Sequence, residues 1–472
     1  MPQRSISNSQ FQTANQVVQN RYVKIELLNY QYQTVDEISG IATAGSFTIS
    51  ATSDIRRTGS ISFVINDSTF EVNSGSKIWL DKYIRLFIGV EDLFAGEITW
   101  TNYGMYIIDA PNYSYNPSTN TMTLTLLDLM AKLTGVRDGY LPGIPVVFKA
   151  GENIRKAIID TLALGGFSQY IVEEAPSPGT IPVDLEFSQG ASIYTLLSGL
   201  RDIYPNYEMF FDVEGVFYYK PIPTGEQDPV IIDDSLFNNI VTEEQISVDF
   251  QSVKNSIEVF GRTHNPKHFS ENTTVSGNTI QLNIPSVQSY VEDIIYGFTL
   301  TDNPGYKNMH LQINSLDSLP IQDGDGNNIE INAEKGEIYF CVQYKKTYWY
   351  WLGHLQAYGI AKDKNPESPF NVNSTIGEIH LPLYGGDYSN CLTDDLAQQR
   401  AEYELYLRTN LNNTITLSCV PVYWLDVNIK VEYTLKRNNE KSQYIIKTIN
   451  TGLTPMDSMT ITMAKFYPEP KF

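Results

Sequence analysis

The feature that most restricts this chain is a two-residue rhythm that starts at Tyr22 and returns along most of its length. "YVKIELLNY", "GSFTISATSD", "GSISFVIND", "KIWLDKYIRLFIGVED" and "TNTMTLTLLDLM" all alternate apolar and polar residues. In "GSISFVIND", Ile61, Phe63 and Ile65 fall on one face. Successive side chains of a strand point to opposite faces, so this is the pattern of a sheet with one side buried. Gly, Asn, Asp and Pro break the runs about every ten residues, the spacing of a small barrel or sandwich. The 31 Tyr and 21 Phe agree, because aromatic side chains suit a pleated, half-buried surface. The expected fold class is mainly β.

Three stretches change the period from two to 3.6. "GENIRKAIIDTLALGG" sets Ile154, Ala157, Ile158, Thr161 and Leu162 on one helical stripe, with Gly165-Gly166 as its stop. "SIYTLLSGL" repeats the stripe with Ile193, Leu196, Leu197 and Leu200, and Ser192 is placed to cap it. "TDDLAQQRAEYELYLRT" carries Leu396, Ala397, Ala401 and Leu405 behind an N-cap at Thr393, with Asp394 and Asp395 where the helix dipole favours acids. A shorter helix is expected in "LLDLMAKL", 126–133. At 472 residues the chain exceeds one compact core, and three or four domains are expected, mainly β with α+β inserts.

The formal charge of −21 lacks the basic footprint of a nucleic-acid binder and disfavours anionic membranes. Cys341, Cys391 and Cys419 are odd in number and far apart, which is neither a disulfide framework nor a zinc pattern. They are expected to be small buried hydrophobes in a reducing compartment. The opening "MPQRSISNSQFQTANQVVQNRY" has no apolar core of a secretory signal, and no run approaches the roughly 18 apolar residues of a membrane helix. The chain is expected to be made and folded in a cytoplasm, with residues 1–20 as a flexible arm and no membrane insertion.

Catalytic patterns are sparse. The five histidines, His264, His268, His310, His354 and His380, sit in no nucleophile or metalloprotease motif, and Pro266 breaks the spacing between the first two. No catalytic, cofactor or metal residue is assigned. "DGDGNNIEINAE", 323–334, offers Asp323, Asp325, Asn327 and Glu334 at calcium-loop positions, but Asn328 stands where the loop requires Gly. A hairpin turn is the simpler reading. "YKKTYWYWLGH", 344–354, puts Tyr348, Trp349, Tyr350 and Trp351 on both faces of a strand. One face in the core and the other in a protein interface is the expected arrangement. The rival is a carbohydrate-binding or carbohydrate-active β protein that stacks sugars on these rings. Phe210 and Tyr218 of "NYEMFFDVEGVFYYKPIP" are further interface candidates. Tyr207, Met209 and Phe211 of that stretch share one face, and Glu208 and Phe210 the other.

The order of the segments resembles one family. A β unit ends in "TMTLTLLDLMAKLTG". A helix-bearing insert follows, from "VFKAGENIRKAIIDTLALGG" to "FSQGASIYTLLSGLRDIYPNYEMFFDVEGVFYYKPIP". A second β unit enters at "SVKNSIEVFGR" and finishes with "TDDLAQQRAEYELYLRT", "LDVNIKVEY" and "QYIIKTINTGLTPMDSMTITMAKFYP". This is similar to the tail or baseplate hub proteins of tailed phages and related contractile particles. The resemblance implies two tube-type β-barrels, at 21–135 with 206–245 and at 246–265 with 390–472. It leaves an α+β insert at 136–205 and an accessory β-rich region at 266–389. It implies a homotrimer in the virion tail that joins the hexameric tail tube to a central spike or tip protein. Other baseplate proteins would surround it, and DNA would pass through the lumen without specific binding. No lytic activity is carried over.

Overall fold

The computed structural model describes all residues except 1–5, 17, 41, 43, 66–69, 116–119, 142, 144, 177–178, 182–183, 205, 226–227, 233, 302–305, 325, 332–337, 410–411 and 467–472. The molecule is mainly β and is dominated by one twelve-stranded, nearly closed, barrel-shaped sheet. Both ends of the chain build it. Along the sheet run Val241–Asp249, Asn412–Cys419, Met459–Lys465, Lys441–Gly452, Ala44–Ser50, Arg57–Val64, Asn120–Asp128, Ile98–Tyr115, Tyr83–Glu91, Arg21–Leu28 and Thr34–Gly40. Lys430–Thr434 adds to Lys441–Gly452 off this path. The junction of the two halves is antiparallel, from Thr448 opposite Ser50 to Gly452 opposite Ser46.

The alternation explains the inward face. Ile61, Phe63 and Ile65 are buried, as are Leu86, Ile88, Leu124 and Leu126 opposite, and they share one core with Ile446, Ile449 and Ile461 of the C-terminal strands. Register shifts at Leu86/Phe87, Ile108/Ala110 and Ile446/Thr448 curl the sheet. At Gly59 a Cβ would run into the Phe47 ring, so this strand lies flat against its neighbour only because the side chain is missing.

The two halves of the sheet are tied by the segment expected to be a flexible arm. Asn8–Ala14 is a helix (α1), held by a capping box between Ser7 and Gln10, with Thr13 and Ala14 buried. Gln10 Nε2 donates to Thr101 Oγ1 at 3.1 Å, and Gln19 Nε2 donates to the Pro421 carbonyl at 3.1 Å. The buried Arg21 guanidinium donates to the carbonyls of Thr454 and Asp457.

The three longest helices fall where the 3.6 period places them. Ile154–Leu164 (α2) and Ile193–Arg201 (α3) bury the stripes named above, and Ser192 Oγ accepts from Thr195 N as cap. Asp234–Ile240 is α4, and Asp394–Arg408 is α5, capped by Thr393. The segment 126–133 is strand up to Asp128 and a single 3-10 turn at Leu129–Lys132.

Strand pairing divides the chain elsewhere than expected. Tyr207–Phe211 and Phe217–Pro221 do not pair with the large sheet; they join Tyr170–Val172 of the insert, with Phe217 opposite Tyr170. The physical reason is the core they serve: Met209, Phe211, Phe217 and Tyr219 pack with Ile158, Leu162, Leu196 and Leu200 of α2 and α3. Residues 246–265 split as well. Val241–Asp249 edges the large sheet, whereas Ser256–Thr263 pairs with Gln356–Lys362 and His380–Tyr384 in a three-stranded sheet. Close approach of α5 to that sheet requires Gly359, whose Cβ would strike the helix backbone at Ala397 and Gln398. The region 266–389 holds an eight-stranded sheet with its own core around Trp349, Tyr296, Phe298 and Leu311.

Candidate functional site

Phe210 and Tyr218, opposite each other in the hairpin, stack with ring centroids 5.4 Å apart and planes 10° from parallel. They form one wall of a cleft of about 330 Å³ whose apolar lining also includes Trp424, Val427, Ile429 and Ile231. Asp212, Glu214 and Lys220 stand among its lining residues. The cleft therefore joins the insert's hairpin to the loop that precedes Lys430–Thr434.

Its floor is charged and buried. The Arg56 guanidinium carbon lies 3.7 Å from the centroid of the Phe210 ring, and Arg56 ion-pairs with Glu208, both about 95% buried. Asn428 Nδ2 donates to Glu208 Oε2 at 2.7 Å, and Lys220 Nζ is 3.4 Å from Glu208 Oε1. Lys447 Nζ donates to Asn428 Oδ1 at 3.2 Å, and burial pulls its amine below the usual lysine range. Beside this set Arg57 ion-pairs with Asp426 and donates to the Phe211 carbonyl at 2.7 Å. Asp128 Oδ2 accepts from Arg57 N at 2.8 Å, and burial pushes its carboxyl above the usual range. Buried charges persist only when paired and hydrogen-bonded, so this cluster locks strand, insert and C-terminal loop in one arrangement. Its chemistry is positional: Arg56, Arg57 and Lys220 each face a carboxylate, and Lys447 is held by the Asn428 amide.

Solved structures of other chains share this architecture. The tail protein from Neisseria meningitidis MC58 matches with a TM-score of 0.51 at 10% identity, covering 94% of this chain and 96% of that one. The 43 kDa tail protein of prophage MuSo2 from Shewanella oneidensis matches with a TM-score of 0.51 at 10% identity, covering 94% and 98%. This chain has the phage tail-protein fold. Residues 367–469 also match the model of a domain of unknown function, DUF5048. No curated protein matches in sequence. The resemblance read from the order of segments thus holds at the level of the fold.

Within this tail-protein fold the six aromatic candidates do not converge. Phe210 and Tyr218 meet at the cleft described, and Phe210 is only 6% exposed, so its ring serves the buried floor more than the surface. Trp349 is corrected from interface to core: it is fully buried, donates from Nε1 to the Leu311 carbonyl at 3.1 Å, and meets Tyr296 edge-on at 5.2 Å. Trp351 is half-buried against Phe340, with centroids 5.2 Å apart. Tyr348 and Tyr350 line a second cleft, between the insert and the 266–389 region.

The other sequence candidates are accounted for locally. Asp323 closes a hairpin turn, accepting from Asn327 N at 2.8 Å, while Asp325 and Glu334 of the same motif lie outside the described residues. Among the described residues no group of three or more His, Cys, Asp and Glu side chains could hold a metal ion. His354 Nδ1 is 2.7 Å from Asp394 Oδ2. His264 is buried, and burial pulls its imidazole down to about 4. The three cysteines are buried and unpaired, with burial pushing Cys391 up to about 11 and Cys341 and Cys419 to about 12. Among the described residues no helix is long and apolar enough to cross a membrane.

Arg56, Arg57 and Asn428 were not singled out by sequence reasoning. The signal for the site was Glu208, a carboxylate inside the apolar strand "YEMFF", which has to meet a cation if its face is covered.

Proposed function

We propose that this chain is a structural hub at the distal end of a phage or phage-like tail, acting as a homotrimer between the tail tube and a central spike or tip protein. The observation that carries the reading is the nearly closed twelve-stranded sheet, built from both ends of the chain, in a tail-protein fold matched over almost its whole length. Its two halves, 21–128 and 241–249 with 412–465, are read as two tube-type units fused edge to edge. Six such units in a trimer would continue a hexameric tube. The free edges are Val241–Asp249 and Thr34–Gly40, whose outer backbone groups supply the means of pairing with neighbours. A net charge of −21 on each copy repels DNA phosphates, which suits a conduit that must not retain its cargo. Other baseplate proteins would dock on the insert and the 266–389 region. The mechanism is assembly rather than catalysis.

The carbohydrate reading loses its main platform, because Trp349 is enclosed in the core. Mass measurement in solution, followed by imaging of the particles, tests the hub reading. Rings of three 53.4 kDa chains that bind tail tube protein are expected. A monomer at every concentration, with no affinity for a tube protein, would overturn it.

A further inference from the structure

Asn428 and Lys447 face each other across two strands, and what they can do together does not depend on the hub reading. Lys430–Thr434 and Lys441–Gly452 run antiparallel, with Lys430 opposite Ile445. The same register, carried past the strand end, sets Asn428 opposite Lys447. Two backbone bonds hold it there: Asn428 N donates to the Ile446 carbonyl at 2.8 Å, and Ile446 N donates to the Ile429 carbonyl at 3.2 Å. Across the pair, Lys447 Nζ donates to Asn428 Oδ1 at 3.2 Å. The nitrogen of the same amide, Nδ2, donates to Glu208 Oε2 at 2.7 Å. An amine, a primary amide and a carboxylate therefore stand in succession, and Asn428 and Glu208 are only 2% and 5% exposed.

Each group has what an amide exchange requires. An amine attacks through its lone pair, so the ammonium form is inert. Burial pulls the Lys447 amine below the usual lysine range; Glu208 opposes this and Arg56 adds to it. Desolvation and a neighbouring cation are both ways to make a lysine nucleophilic. The hydrogen bond to Oδ1 brings Nζ beside the amide carbon, and a positioned pair of reactants needs no chance encounter. Glu208 touches the nitrogen that has to leave, within the reach of about 2.6–3.2 Å that direct proton transfer needs. Burial of the amide also keeps away water, the rival nucleophile.

We propose that Lys447 and Asn428 become joined by an isopeptide bond, with Glu208 as the proton carrier. Nζ attacks Cγ of Asn428, and the carbonyl electron pair moves onto Oδ1. Glu208 takes the proton that the attacking nitrogen sheds and delivers it to Nδ2. The bond from Cγ to Nδ2 then breaks, the carbonyl forms again and ammonia departs. An amine and a primary amide become a secondary amide and ammonia, with no oxidant and no cofactor. The link clasps Lys430–Thr434 to Lys441–Gly452 just before Thr448, where the pairing between the two halves of the large sheet begins.

Intact-mass measurement of the full purified chain tests this. The expected mass is below that of the sequence by one ammonia, about 17 Da. Proteolytic digestion should yield one branched peptide that contains both Asn428 and Lys447. Glu208→Gln and Lys447→Met are each expected to restore the ammonia and to give two separate peptides. Should either variant fail to fold, the parent chain's mass and digest alone carry the test. A parent chain of full mass, or a loss of ammonia mapped to any other residue, would overturn the proposal. A branched peptide from Glu208→Gln would overturn the role given to Glu208.

Discussion

Asn428 donates to Glu208 at 2.7 Å although the two residues are 220 positions apart, and both are buried. That bond joins the insert's hairpin to the C-terminal half of the large sheet. Arg56 from the N-terminal half and Lys220 converge on the same carboxylate. Glu208→Gln keeps the shape and the bond to Asn428 but leaves Arg56 and Lys220 without their carboxylate. Removing one member of a buried pair costs about 3–5 kcal/mol. Chemical denaturation should show a loss of that size, and a variant as stable as the parent would mean the pair is not structural.

The imidazole of His264, buried and pulled down to about 4 by that burial, gives a pH prediction. In the unfolded chain it takes up a proton near 6.5, whereas in the folded chain it stays neutral until about 4. The unfolded state therefore binds more protons between these values, and stability falls as pH drops through that window. The full effect is on the order of 3 kcal/mol. Melting temperatures recorded from pH 7 to pH 4 should decline, and His264→Asn should decline less steeply. Parallel curves for the two proteins would count against this residue as the source.

Trp349 and Trp351, two positions apart, should behave differently. Trp349→Ala empties a fully buried site and frees the Leu311 carbonyl, so a loss of about 3–5 kcal/mol is expected. Trp351 is half-buried, and Trp351→Ala should cost less than half as much. Denaturant unfolding of the two variants side by side is the measurement, and equal losses would reverse the assignment of faces.

Asp394 fastens α5 to the strand pair before it. Its carboxylate accepts from His354 N and Tyr358 N, both at 2.9 Å. Gly353, at φ +94°, passes so close that a Cβ there would strike that carboxylate. Asp394→Ala should cost about 1–3 kcal/mol by leaving buried amides unsatisfied. Gly353→Ala should be at least as harmful, because the backbone conformation and the carboxylate both oppose it. Hydrogen exchange of the His354 and Tyr358 amides reports both changes.

If the outer edge of the large sheet is a contact between copies, its exposed side chains take part. Val248 is 44% exposed and Phe250 is 77% exposed at this edge. Val248→Asp combined with Phe250→Asp should reduce the solution mass from three chains to one, with melting unchanged, since exposed substitutions usually stay within about 0.5 kcal/mol. A mass that does not move would place the contact elsewhere.

Much of the architecture was legible residue by residue. The stripes of α2, α3 and α5, the caps Ser192 and Thr393, and the buried face of "GSISFVIND" all follow from spacing, since periods of 3.6 and two are properties of the local backbone. Of the cleft, Phe210 and Tyr218 were legible as interface candidates, and Glu208 was the one sign of a charged floor. Its counterion Arg56 and its hydrogen-bond donor Asn428 lie on elements whose proximity no spacing announces. "YEMFF" shows a strand with two distinct faces, but a strand edge has no code for its partner, and the insert's Tyr170–Val172 took it. Trp349 was ambiguous because its neighbours are aromatic on both faces, and burial depends on what packs above.

By itself the sequence determined most of the element types and many of their buried faces, the mainly β class and the order of segments that resembles the tail hub family. Only the tertiary structure decided which strands share a sheet, where the insert's hairpin belongs, and which charges meet beneath Phe210. The division has a physical cause. Backbone geometry is set by near neighbours, whereas strand pairing and charge burial are settled by the competition of distant surfaces for the same core.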